Sequence, residues 1–320
     1  MGAARIDQRR PWVRIPVRVA HKREVGGMTR AAGKGYTVRD NRVLRTIASR
    51  LAALTMLAMA VGLTTAAGAS ALSAHGQLLK LAPHPSVNTN QSQNWFGYNQ
   101  GTLEQGNKLF NSITGDWTVP AASQHTKGQD EYSSDWIGIG GGCVDSGCVV
   151  GDPTLIQTGT EQDVAADGSP SYSAWWEVIP GPSLTISNFT VSPGDRMHAA
   201  VAEVVPNSNL WKITLQDVTR NETYTTTVPY SSTHDTAEWI EETPLILGTN
   251  AGFAPLPNLS SPAFDLATTN GQPANLKPSE EMQLVDANNN VIGAPSAPDP
   301  DTDGFNACTW AGTCVAPSGS

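Results

Sequence analysis

An antiparallel β-sandwich is the fold class this sequence predicts, on three observations. Short segments of alternating polar and apolar character recur at 171–179, 196–205, 210–218, 223–230 and 282–286. Turn residues separate them, at Ser192-Pro193-Gly194-Asp195, Asn207-Ser208-Asn209 and Asn288-Asn289-Asn290. Beyond residue 74 no window carries a long helical period. A period of two sends one strand face to a core and the other to water, and dense turn chemistry keeps the strands short. Two packed antiparallel sheets are the simplest way to bury such faces.

The chain opens in a different style. Residues 1–50 are rich in Arg, 51–63 form an apolar run (LAALTMLAMAVGL), and small residues around Ala69-Ser70-Ala71 follow. This order reads as an N-terminal extension and secretory signal peptide over 1–74. The run is shorter than the ~20 apolar residues that span a bilayer. A polar stretch, 75–93, reads as a linker, and 94–320 as one β-sandwich domain whose tail, 293–320, is expected to be loop-like.

The whole chain has a formal net charge of −9. Removing the 13 Lys+Arg and 3 Asp+Glu of residues 1–74 from totals of 20 and 29 leaves 7 basic against 26 acidic residues, a net charge of −19. That surface excludes nucleic acid as a partner and disfavours stable association with anionic membranes once the leader is gone. It also repels itself at neutral pH, and the repulsion fades as carboxylates protonate. An exported monomer working in an acidic medium is the expectation.

All four cysteines, Cys143, Cys148, Cys308 and Cys314, lie in the exported part. Of three possible connectivities, the local loops Cys143–Cys148 and Cys308–Cys314 are the simplest in an oxidising compartment. The spacings do not fit a zinc site. Asp299-Pro300-Asp301-Thr302-Asp303-Gly304 resembles the start of a calcium loop, but Trp310 stands where the closing acid belongs, so an acidic turn is expected and no metal or cofactor. Zinc-protease, nucleophile-elbow, phosphate-loop and dinucleotide signatures are absent. Any chemistry must come from carboxylates, amides and aromatics.

Four segments decide between families. They are Asn94-Trp95-Phe96-Gly97; Trp136-Ile137-Gly138-Ile139 with Leu155-Ile156-Gln157-Thr158-Gly159; Tyr172-Ser173-Ala174-Trp175-Trp176-Glu177; and Ala237-Glu238-Trp239-Ile240-Glu241-Glu242. In content and order they resemble the motifs of the glutamic peptidases, the eqolisin family. The resemblance spans about 94–265 and implies a concanavalin-like sandwich with its substrate groove on the concave sheet. It implies a secreted acid endopeptidase acting on proteins or peptides. Its catalytic pair would be Gln157 and Glu242: Glu242 as general base on water, the Gln157 amide as oxyanion donor. A hydrogen bond from Gln157 to the Glu242 carboxylate would favour the charged form of that base. Glu238 is the rival for the acid role, since strand periodicity puts it on the same face as Glu242. Trp95, Trp136 and Trp175 would line the groove, with Glu161 and Glu177 as supporting acids.

The sequence departs from the family pattern by an insertion between Trp136 and Gln157 that holds Cys143 and Cys148, and at three residues. Gly140 stands where the family has Asp, Glu161 replaces an Asp, and Glu241 replaces an apolar residue. Glu241 could face the core with a local bulge, or sit in water at a strand end. Two other readings compete: a sandwich that binds glycans or peptides without catalysis, and a glycoside hydrolase using two carboxylates such as Glu177 and Glu242.

Overall fold

In the computed structural model residues 78–80, 86–88, 91–247 and 251–318 are described, so the expected signal segment lies outside the described residues. The main strands, in chain order, are β1 (Trp95–Gly101), β2 (Ser112–Thr118), β3 (Ser134–Gly140), β4 (Leu155–Val164), β5 (Pro170–Val178), β6 (Arg196–Glu203), β7 (Leu210–Asp217), β8 (Glu222–Pro229), β9 (Thr236–Glu242), β10 (Ala263–Thr269), β11 (Glu281–Val285), β12 (Val291–Pro295) and β13 (Phe305–Thr309). They form two antiparallel sheets. The first runs β5-β4-β3-β9-β1-β11. The second runs β8-β7-β6-β2-β10-β13. β12 pairs with both β11 and β13 and closes the two sheets along one edge. The predicted antiparallel sandwich is therefore present.

The core between the sheets takes Phe96, Ile137, Ile139, Ile156 and Trp239 from the first sheet, and Ile113, Trp117, Val201, Ile213 and Leu215 from the second. Two indoles cross the gap. Trp239 Nε1 donates to the Thr114 carbonyl at 2.8 Å, and Trp117 Nε1 donates to the Thr160 hydroxyl at 2.9 Å. Buried N–H groups that reach partners on the opposite sheet fix how the layers stack.

The linker and tail differ from expectation. Leu78–Lys80 pairs with Leu245–Leu247, and Ser86–Asn88 pairs with Gln91–Ser92, so the linker stretch contains strand. The tail is not simply loop, because it supplies β12 and β13. Phe305 of β13 packs between Tyr98 and Phe264, with ring centroids 4.7 and 4.8 Å apart. The Pro- and Asp-rich turn between these strands hides their alternation. Both local disulfides, Cys143–Cys148 and Cys308–Cys314, are present.

Glu241 takes neither expected course. It is fully buried on the core face of β9, and the pairing on both sides of β9 runs through it without a bulge. What receives it is Asp135, its cross-strand partner on β3. The two carboxyls hydrogen-bond each other, which requires a proton on one of them. Gln162 Nε2 donates to both, at 3.0 Å to Asp135 and 3.3 Å to Glu241. Burial pushes the Asp135 carboxyl up to about 7, against the pull of its hydrogen bonds. Burial, and then the charge of Asp135, lift Glu241 well above the ordinary carboxylate range.

Raised carboxyls bind more protons folded than unfolded. Their contribution is complete below the unfolded value and is lost as pH rises through the folded one. The melting temperature should therefore fall between about pH 4 and pH 7. Glu241→Val should flatten that fall by roughly 5 °C, measured by calorimetry across the pH range; an unchanged slope would remove the pair as its cause.

Candidate active site

On its other face the first sheet lays its side chains in three rows. One row holds Asn99, Glu238, Gly138, Gln157 and Glu177, across β1, β9, β3, β4 and β5. The next holds Gly97, Ile240, Trp136, Gly159 and Trp175. The third holds Trp95, Glu242, Ser134, Glu161 and Ser173. The expected catalytic pair, Gln157 and Glu242, and the expected supporting residues Trp95, Trp136, Glu161, Trp175, Glu177 and Glu238 thus lie on one face, in three adjacent rows.

Trp136 occupies the centre. Its indole Nε1 donates to Glu242 Oε2 at 2.9 Å. The far edge of the ring reaches the other row: Cζ3 lies 3.0 Å from where a Cβ on Gly138 would be, and that point is 3.1 Å from Gln157 Cβ. Only a glycine at 138 leaves space for this indole between the two polar groups. Trp95 meets Trp136 edge-on, with centroids 4.8 Å apart and planes at 74°. Trp175 Nε1 donates to the Ser134 hydroxyl at 2.9 Å, which donates in turn to the Thr160 carbonyl at 2.8 Å.

Glu242 also receives Asn94 Nδ2 at 3.1 Å. Two N–H donors on one buried carboxylate stabilise its charged form. Glu238 is placed differently. The Thr236 hydroxyl and the Gly142 N–H lie nearest, but the N–H donates to that hydroxyl at 3.2 Å and neither forms a well-shaped bond to Glu238. Burial lifts the Glu238 carboxyl well above its ordinary range, and the charge of Asp152 adds to this. The two acids thus differ in their donors: Glu242 accepts two N–H groups, and Glu238 none of good geometry. Periodicity alone could not separate them.

The expected bond from Gln157 to Glu242 is not made. Gln157 Nε2 donates to Glu177 Oε2 at 2.8 Å instead, because β5 is the neighbouring strand and Glu177 the direct cross-strand partner. Glu161, two strands from Glu242 with Ser134 between, accepts from the Ser173 hydroxyl. Burial raises its carboxyl above the ordinary range. Glu177 and Glu242 are not brought together, since the Gln157 side chain and the Trp136 indole lie between them. Asn94 was missed as a functional residue, although it opens the first motif; its role depends on a carboxylate 148 residues away.

Gln157, Glu238 and Glu242 are 0% exposed. Part of the cover is the disulfide-closed loop after β3: a Cβ on Gly142 would lie 2.5 Å from Glu238 Oε1. Among the described residues, Asp265, Asp299 and Asp303 bring oxygens within 4.8 Å of one another. Asp299 Oδ1 there accepts the backbone N–H groups of Asp303 and Gly304 at 3.1 and 3.2 Å, the bonding of an acidic turn.

The sequence model of the Peptidase A4 family matches residues 93–302, which contain all three rows. The chain belongs to the Peptidase A4 family. Aspergillopepsin-2 of Aspergillus niger is similar to it, at 27% identity over 187 residues, covering 52% of this chain and 60% of that protein. The chain therefore spans less than two thirds of this curated relative. Two solved structures of scytalido-glutamic peptidase are similar in fold, one with a transition state analog inhibitor and one with a peptide based transition state analog. They show 21% and 20% identity and TM-scores of 0.53 and 0.51, each covering 68% of this chain and 98% of the other. As a Peptidase A4 member the chain has the family's β-sandwich, with its carboxylates and amide gathered on one face of one sheet.

Trp136→Phe keeps most of the packing of this Peptidase A4 site and removes one donor from Glu242. Hydrogen bonds to charged groups contribute about 1.5–3 kcal/mol. Under the catalytic assignment proposed below, the variant should fold and lose roughly tenfold or more in cleavage rate. A rate profile identical to the parent would show that this N–H does not matter.

Proposed function

We propose that this chain is a secreted, acid-acting glutamic endopeptidase whose catalytic pair is Gln157 and Glu242. One observation carries the reading: a buried carboxyl that accepts N–H groups from Asn94 and Trp136 stands across a single indole from a buried primary amide. Glu242 takes a proton from water as that water attacks the scissile carbonyl. The developing oxyanion accepts an N–H from the Gln157 amide. Glu242, now protonated, gives its proton to the amine as the C–N bond breaks. No metal or cofactor enters these steps.

Physical chemistry favours the same assignment of acids. A base working near pH 3–4 must keep its charge below the ordinary Glu value of about 4.3. Glu242 has the donors for that; Glu238, pushed up by burial, does not. Substrates would be proteins or peptides lying along the tryptophan-rich face. Secretion is supported by the leader composition and the two disulfides. The glycosidase reading loses its acid pair, since Glu177 is engaged by Gln157 and separated from Glu242.

Acid-pH digestion of a denatured protein should proceed in pepstatin and in chelator, with no sugar release from glycan substrates. Gln157→Ala should lower kcat by about 10²–10³, and Glu242→Gln should abolish cleavage while circular dichroism stays native. Full activity in Glu242→Gln together with none in Glu238→Gln would transfer the base role to Glu238.

A further inference from the structure

The carboxyl of Glu242 is held through a chain of contacts that begins before β1. Ser92 and Asn94 are both 0% exposed. Ser92 lies in the short strand Gln91–Ser92, which pairs parallel with β11. Its hydroxyl oxygen accepts two backbone N–H groups, from Asn94 at 3.1 Å and from Trp95 at 3.0 Å. A hydroxyl has two lone pairs and one proton. With both lone pairs taken, the proton goes to Asn94 Oδ1, 2.9 Å away. That bond orients the Asn94 amide. Its oxygen faces Ser92, and its Nδ2 donates to Glu242 Oε1 at 3.1 Å. The main chain of Asn94 is tied to the same strand end, because its carbonyl accepts the Thr243 N–H at 2.8 Å.

We propose that Ser92 is a positioning residue of this site, which acts on Glu242 through the Asn94 amide. This rests on the assignment of Glu242 as the base. The oxygen and nitrogen ends of an amide are close to equal in shape, so packing alone does not choose between its two orientations. The Ser92 hydroxyl makes the choice. In the reversed orientation Nδ2 would meet an oxygen whose lone pairs are used, and Oδ1 would face a carboxyl oxygen. Both hydrogen bonds are then lost, and the second contact is repulsive when Glu242 is charged. In the orientation observed, Asn94 serves Oε1 and the Trp136 indole serves Oε2. A carboxyl with a fixed donor on each oxygen breaks both bonds when it rotates about its last bond, so its plane is set before water and substrate arrive. The spacing Ser92-Gln93-Asn94-Trp95 allows this arrangement. It forms the small turn in which one serine hydroxyl reaches the N–H groups two and three residues on, together with the asparagine side chain.

Full-length protein carrying Ser92→Ala, Asn94→Ala or both should be assayed at acid pH, beside Ser92→Thr and Glu242→Gln. kcat and KM are measured separately, with kcat scaled to the folded fraction. Asn94→Ala removes a hydrogen bond to a charged group and should lose about 10- to 100-fold in kcat, with KM within about threefold. Ser92→Ala should lose roughly tenfold in kcat, again with little change in KM. The double variant should lose no more than Asn94→Ala alone, since the serine works through the amide and the two losses are not additive. Ser92→Thr keeps the hydroxyl and should recover to within about fivefold of the parent. Should Ser92→Ala fail to fold, Ser92→Cys makes the same comparison with a side chain of similar shape and a weak donor. Parental kcat in Ser92→Ala, or in Ser92→Cys where that variant replaces it, overturns the proposal. So do losses that multiply in the double variant, which would show Ser92 acting on the fold and not on Asn94. Full activity in Glu242→Gln would instead overturn the assignment of the base; if Glu242→Gln is inactive and the Ser92 variants are not impaired, only the role of Ser92 falls.

Discussion

A sheet buried on both faces has to satisfy every polar side chain it carries, and that requirement shapes this molecule more than any single contact. β1, β3 and β9 are buried at every position, so their acids and amides cannot fall back on water. Burial of an unpaired polar group costs several kcal/mol in an apolar setting. Several are therefore drawn to a neighbour in the row or to an indole N–H. The pairing of Glu242 with Asn94 and Trp136, and of Gln157 with Glu177, follows from register as much as from chemistry. The face that does the chemistry and the face that holds the fold are two sides of the same strands.

The two faces also divide the acids by proton state. On the core side Asp135 and Glu241 share a proton under the reach of Gln162. On the other side Glu242 is surrounded by donors and Glu238 is not. A chain with many acids and few bases can bury carboxyls only by protonating some and giving N–H donors to the rest. Acid pH supplies the first of these without cost, so the same composition that suits the surface to an acidic medium suits the interior.

The second sheet was legible in the sequence because its strands alternate. β6, β7 and β8 turn one face to solvent, and period-two patterning marked all three. In the first sheet β1, β3, β4 and β9 were located through motif resemblance, since a strand buried on both sides shows no alternation to read. The site residues were legible for the same reason, and their common face followed from spacing within each motif. Their pairing was not. Which donor reaches which acid depends on register between strands far apart in sequence, so Gln157 was assigned to Glu242 when its neighbour is Glu177. The proton sharing of Asp135 and Glu241 was likewise invisible, because a carboxyl beside a carboxyl reads as an error until its partner strand is known.

Gly140 carries a consequence for how such chains diverge. Its φ is +99°, and a Cβ there would lie 2.1 Å from the Thr154 carbonyl oxygen. The glutamic-peptidase motif that this segment resembles has an Asp at this point. Here the backbone after β3 has settled into a path that only glycine follows without strain, and the disulfide loop continues from it. Placing an Asp there would mean rebuilding the loop as well. Position 140 and the loop that follows it are in that sense one unit, so a change at one constrains the other.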